Sequence, residues 1–289
     1  MNETQETVYL KEKGLKEAYQ IKKDAFLQDT KTFKRELKEV HKAEKEERRR
    51  MRELPKAEKR ELLAKQRKAL GLPSYTKGEE LMNAISHIVG GAFGIIALIT
   101  SIYYSVTLNR GGDVIASMVF FSFAIIFLYT MSAIYHFLNV NKAKKVFQYI
   151  DHSTIFVLIS GTYVPVCTFM LSDIYPYNFV VLGVVIFLSV VGISLVSTMM
   201  DKLPVKIVSH TLYIVIGWLI IFFYPFLVSQ NGLPAVILLI MGGVSYSVGA
   251  IIYAIGKYKK YFHFIFHIFC LIGTILQFLS ALIYGVIGI

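Results

Sequence analysis

From residue 84 to the C-terminus the sequence is a nearly unbroken series of apolar segments, each about the length of a bilayer crossing. A hydrocarbon core takes about 20 mostly apolar residues per helix, at ~1.5 Å rise each. Seven segments meet that length, over 84–108, 114–138, 147–171, 177–199, 206–228, 234–256 and 261–287. Breaks rich in Gly, Pro and Asn separate most of them: Arg110-Gly111-Gly112, Tyr175-Pro176, Leu203-Pro204 and Asn231-Gly232-Leu233-Pro234. The expected fold is all-α, a seven-transmembrane helix bundle.

The first 80 residues have a different composition. They hold 22 of the 31 Lys/Arg and 16 of the 20 Asp/Glu, leaving nine basic and four acidic residues for the rest. The net charge of +11 therefore describes neither half. Its basic residues sit in the arm and in short loops between apolar runs, which fits a bilayer surface and argues against nucleic acid. The N-terminus opens on polar residues with no apolar h-region, so no secretory signal is expected. Cys167 and Cys270 lie inside apolar segments and read as small buried side chains.

Loop charge sets the expected orientation. Connections after the second, fourth and sixth segments carry Lys142, Lys144, Lys145, Lys202, Lys206, Lys257, Lys259 and Lys260, whereas the alternate ones carry Arg110 with Asp113, then Asp173, then no charge. A cytoplasmic N-terminus and an external C-terminus follow. Residues 1–77 form a charged cytoplasmic arm and 78–289 the membrane domain. Leu15, Tyr19, Phe26, Phe33 and Leu37 permit amphipathic helix in the arm but are too sparse for a core. It reads as a solvated, helical or partly disordered extension. A membrane-surface or partner-binding helix is the alternative, because Arg48-Arg49-Arg50-Met51-Arg52 suits anionic headgroups. The sequence names no protein partner for it.

Polar residues inside the spans are costly and mark sites. Of the four acids after residue 80, only Asp151 sits a turn inside a span. Ser132 and His136, and likewise His263 and His267, are four residues apart and share a helical face. In the expected orientation His136, Asp151, His263 and His267 all lie within roughly 10 Å of the cytoplasmic boundary. Three imidazoles with a carboxylate suit Zn²⁺ with an open position. Asp151 would ligate, hold a water or orient a histidine, and Ser132 would bind the water or a substrate oxygen. The same histidines also read as interface or packing residues. Glu80, Asn83 and His87 either cap the first span or extend the polar site. His152 and His210 read as interface or core, and His41 as part of the solvated arm. Gly90 with Gly94, and Gly242-Gly243 with Gly249, suit close helix packing. Pro165 is expected to kink the third span.

The motifs Glu79-Glu80-Leu81-Met82-Asn83-Ala84-Ile85-Ser86-His87, Ser132-Ala133-Ile134-Tyr135-His136, Asp151-His152-Ser153, Ser160-Gly161-Thr162-Tyr163-Val164-Pro165 and His263-Phe264-Ile265-Phe266-His267 occur in that order. Through them, residues 78–289 resemble the hemolysin III family, the bacterial branch of the progestin and adipoQ receptor membrane proteins. The arm is unmatched. The resemblance implies zinc held by His136, His263 and His267, with Asp151 and Ser132 approaching a metal-bound water as catalytic residues. It also links the chain to transmembrane hydrolases such as the alkaline ceramidases. Phe264 and Gln277 depart from the polar residue and the histidine that relatives often carry there. The expected function is zinc-dependent hydrolysis of a lipid amide or ester at the cytoplasmic leaflet, or lipid sensing in membrane homeostasis. A pore-forming cytolysin and a receptor-like protein with structural zinc are the alternatives.

Overall fold

The computed structural model describes residues 22–23, 26, 28–43, 45–46, 49–50, 53–256 and 259–288. Leu15, Tyr19, Arg48, Met51, Arg52 and Lys257 lie outside the described residues. Among the described residues there are helices and no strands. The chain divides into two compact units, Met1–Leu63 and Ala64–Ile289.

The first unit carries a helical, almost wholly exposed stretch over 28–43. Helix α1, Lys56–Ala69, straddles the division and has no buried residue. The second unit holds α2 (Lys77–Thr107), α3 (Gly112–Phe137), α4 (Lys142–Pro165), α5 (Tyr177–Met199), α6 (Leu203–Trp218), α7 (Tyr224–Ile255) and α8 (Phe262–Leu279). A wide π-type stretch over Ser280–Ile287 extends α8.

The first span begins earlier than its hydropathy suggests because a polar cap starts it. Thr76 accepts from the Glu79 amide, and the Glu79 carboxylate accepts from the Thr76 amide. The second carboxylate oxygen of Glu79 takes the amide of Tyr261, whose φ is 64°, 3.0 Å away. One side chain thus joins the starts of α2 and α8. Pro165 ends regular α4, and the chain widens into a π-type turn over Val166–Met170. Asn178 of α5 donates to the Cys167 carbonyl in that turn. At the other end of the bundle Arg110 donates to the carbonyls of Val286 and Ile287, satisfying the end of the last helix.

Among the described residues six helical runs are long and apolar enough to cross a bilayer, where the sequence counts seven. The difference is the fifth run, Leu203–Ile255, whose 53 residues contain two expected spans. At Gly232 the backbone leaves helical geometry (φ 78°) two residues before Pro234. The run folds back on itself. Trp218 Nε1 donates to Ser247 Oγ at 3.0 Å, although 29 residues of straight helix would separate them by ~44 Å.

One apolar core gathers around Met118, Phe121, Tyr129 and Phe278, and a second around Phe156, Val185 and Ile216. Glycines set the helix spacing. A Cβ on Gly90 would enter the Tyr129 ring, one on Gly94 would meet Ile125 and Ile126, and one on Gly242 would meet Gln277. The small-residue faces therefore pack α2 on α3 and α7 on α8. Ile95, Ile96, Ile99, Val180, Val184 and Phe187 point outward, exposed to what the composition requires to be lipid. The protein is a multi-pass membrane protein.

Candidate metal centre

Four histidines from three helices meet at one end of the bundle. The three expected ligands converge, with ring centroids 5.4 Å apart for His136 and His263, 5.3 Å for His136 and His267, and 4.4 Å for His263 and His267. His87 of α2 joins them, 3.9 Å from His267 and 6.0 Å from His136. Candidate ligand atoms of His87, His136 and His267 lie within 4.8 Å of one another. Nitrogens bound to one tetrahedral zinc at ~2.0–2.1 Å stand about 3.3 Å apart. The Nε2 atoms of His263 and His267 are already at 3.1 Å.

The neighbours of each ring decide which nitrogen faces the centre. His136 Nδ1 lies 2.9 Å from Glu80 Oε2. An ionised carboxylate only accepts, so Nδ1 carries the proton and Nε2 the lone pair. That Nε2 is buried without a hydrogen-bond partner. Ser86 uses its one hydroxyl proton on the Asn83 carbonyl, at 2.7 Å. It can only accept from His267 Nδ1, 3.2 Å away, which leaves a lone pair on His267 Nε2. Both ring nitrogens of His87 and Nδ1 of His263 are likewise buried and unpartnered. A buried polar atom normally has a partner. His136 and His267 are each held through Nδ1 with Nε2 left as a donor, and His87 and His263 bring further ring nitrogens to the same place, a donor set that a zinc ion takes. These residues fit the metal.

Behind His136 stands a charged clamp. Glu80 Oε1 accepts from both terminal nitrogens of Arg67 and from Lys144 Nζ, each at 3.1 Å. Lys144, only 1% exposed, also donates to the carbonyls of Tyr135, His136 and Leu138 at the end of α3. It is a buried structural cation rather than the loop charge the sequence suggests. Tyr75 stacks on His263 with centroids 4.9 Å apart. Burial, followed by nearby negative charge, pushes its phenol well above its usual value, so it stays protonated.

A cavity of about 180 Å³ opens beside the histidines. That exceeds by more than tenfold the ~10–15 Å³ that one water needs. Its wall includes Ser132, Asp151, His87, His263 and His267 at one end and Trp218, Gly243 and Gln277 towards the other. Ser132 and Asp151 face the same end of this cavity. His263 and Gln277 are 14 residues apart on α8, so the chamber runs roughly 21 Å along the bundle. Ile155, Leu158 and Ile159 give it apolar sides. His152 and His210 line it too, each held through Nδ1 by the carbonyl four residues earlier.

A family model described as "Haemolysin-III related" matches residues 75–278. The chain belongs to the hemolysin III family. It is 35% identical to the "Hemolysin-3 homolog" of Bacillus subtilis (strain 168) over 214 residues, 73% of this chain and 97% of that one. To "Hemolysin-3" of Bacillus cereus it is 33% identical over 207 residues, 71% of this chain and 91% of that one. The family match begins at Tyr75, the residue stacked on His263. Within this hemolysin III chain, Glu80 and His87 could by sequence either cap the first span or extend the site. The cap belongs to Glu79, and Glu80 and His87 belong to the site. The places of Arg67, Tyr75, Ser86 and Lys144 around the site depend on contacts between helices that periodicity does not report.

Proposed function

We propose that the chain is a zinc-dependent membrane hydrolase acting on an amide or ester of an acyl-chain lipid, or a lipid sensor built on the same centre. The observation that carries this reading is the convergence of unpartnered, buried histidine nitrogens on a cavity that also holds Ser132 and Asp151. His136, His263 and His267 would hold the ion. Bound zinc supplies Lewis-acid polarisation of a carbonyl and lowers the pKa of a bound water towards ~7. Asp151 would accept a proton from water at the cavity end, with Ser132 orienting that carboxylate. The apolar walls beyond would hold the acyl chain and exclude water from the bond being cut. The chain crosses the membrane of the cell seven times in this reading, counting the hairpin at Gly232 as two spans. Residues 1–77 form the cytoplasmic arm, 78–289 the membrane domain, and the zinc site faces the cytoplasmic leaflet. Lipid is the expected partner, as solvent and as substrate or ligand. The test is incubation of zinc-loaded protein in nanodiscs with long-chain lipid amides and acyl esters, with mass spectrometry of the products. Release of free fatty acid, lost in Asp151→Asn, is expected. Uncut lipids with a fully occupied site would remove the enzyme reading.

His87 favours a second reading, a receptor-like protein with structural zinc. It offers a fourth nitrogen, and a site closed by protein ligands is a structural one. Cobalt substitution separates the two. A visible spectrum unchanged by His87→Ala leaves His87 outside the coordination sphere and keeps the site open, whereas a large change closes it.

A further inference from the structure

The helical stretch before α1 carries a pattern that neither the bundle nor the family match explains, since that match begins at residue 75. Phe26, Thr30, Phe33, Leu37 and Val40 follow one another at steps of four, three, four and three residues. That is the spacing of a and d positions, with Phe26, Phe33 and Val40 at d and Thr30 and Leu37 at a. The four large side chains are 45–70% exposed. Thr30 turns its hydroxyl back onto the Phe26 carbonyl at 2.8 Å, so it does not interrupt the stripe with an outward polar group.

Across Phe26–Val40 and the residue after it, one flank is acidic and the other carries a lysine and a histidine. Asp29 and Glu36 fall at g, on one side of the stripe; Lys34 and His41 fall at e, on the other. In a parallel pair each g residue faces the e residue five positions later on the second helix. Asp29 then meets Lys34 of the second copy, and Glu36 meets His41 of the second copy. His41 binds the Leu37 carbonyl through Nδ1 and leaves Nε2 for that contact. An antiparallel pair would set like charges against each other. A helix lying on an anionic membrane carries basic residues around its polar face, whereas here Asp29 and Glu36 would press into the headgroups. We infer that Phe26 and residues 28–43 belong to a parallel homotypic coiled-coil segment that joins this chain to a second copy of itself. Copies inserted the same way in one membrane present these helices parallel and at high effective concentration, which supports a segment of only about three heptads.

The test uses the full chain in neutral detergent with Cys167→Ala and Cys270→Ala. Oxidation should give a covalent dimer from Leu37→Cys and none from Arg35→Cys, which lies on the outer face. Charge reversal supplies an independent readout by sedimentation. Asp29→Lys/Glu36→Lys and Lys34→Glu/His41→Glu should each weaken self-association about 10- to 100-fold, and an equimolar mixture should associate again. Equal crosslinking at positions 35 and 37, no crosslinking at 37, or charge-reversed variants that behave like the wild type would overturn the inference. So would an arm that binds anionic vesicles more strongly after Asp29→Lys/Glu36→Lys without forming dimers.

Discussion

Replacing Glu80 by Gln keeps the shape of the side chain and removes one negative charge from a buried cluster of three cationic or hydrogen-donating partners. The side chains of Glu80, Arg67 and Lys144 are 11%, 16% and 1% exposed, so water cannot substitute for the lost carboxylate. Breaking a buried pair by removing one partner costs about 3–5 kcal/mol, because the other charge stays buried. Two cations lose their counter-charge here, and Lys144 keeps three carbonyl acceptors, so the expected loss lies within that range. The second effect is on the metal. His136 Nδ1 loses its charged acceptor at 2.9 Å, and removing such an outer partner typically lowers affinity 10- to 100-fold, or about 1.4–2.7 kcal/mol. Thermal unfolding of the apoprotein reads the first quantity, and competition with a zinc chelator reads the second. A Glu80→Gln variant within about 1 kcal/mol of wild type in stability, with unchanged zinc affinity, would refute the reasoning for the clamp.

Three further perturbations follow from the same contacts. Gly90→Ala places a Cβ in the Tyr129 ring, whose hydroxyl is bonded to Thr274, and should destabilise the bundle by about 1–3 kcal/mol; an unchanged melting temperature would contradict this. Tyr163→Phe removes the hydroxyl that donates to the Ile216 carbonyl and accepts from the Ile220 amide, the groups freed where α6 tightens. A loss of about 1–3 kcal/mol is expected by thermal unfolding. At Asp201, burial acts to raise the carboxyl but the hydrogen bonds from Lys145 and Tyr149 outweigh it and hold it below its ordinary value of 3.8. A depressed acid contributes stability above its unfolded pKa and loses it as pH falls through the folded one. Asp201→Asn should thus flatten the stability profile on the acid side. Its side chain is 55% exposed, so the neutral-pH cost should stay under about 1 kcal/mol.

Six apolar runs were legible because apolar length is written directly in the sequence, and so was the break inside the fifth, since Asn231-Gly232-Leu233-Pro234 marks the place where φ turns positive. The start of α2 was placed late because Lys77–Glu80 are polar and only the Thr76–Glu79 cap makes them helical. Spacing and depth together put His136, His263 and His267 at one end of the bundle, where the fold brings their rings within 5.4 Å of one another. His87 stands alone in its helix, so only packing could decide that it belongs with them. Lys144 shows the limit most clearly. Counted by sequence it is a loop charge, yet the fold closes the end of α3 around it and makes it a counter-ion for Glu80.

The metal content of detergent-purified full-length protein, by elemental mass spectrometry, comes first among these experiments. With four histidines converging, three of them buried, and unpartnered ring nitrogens on His87, His136 and His263, one zinc per chain is expected in the wild type, and its loss in His263→Ala/His267→Ala. Wild-type protein that takes up no zinc after repletion would return the histidines to a packing role and remove the basis for the proposed chemistry.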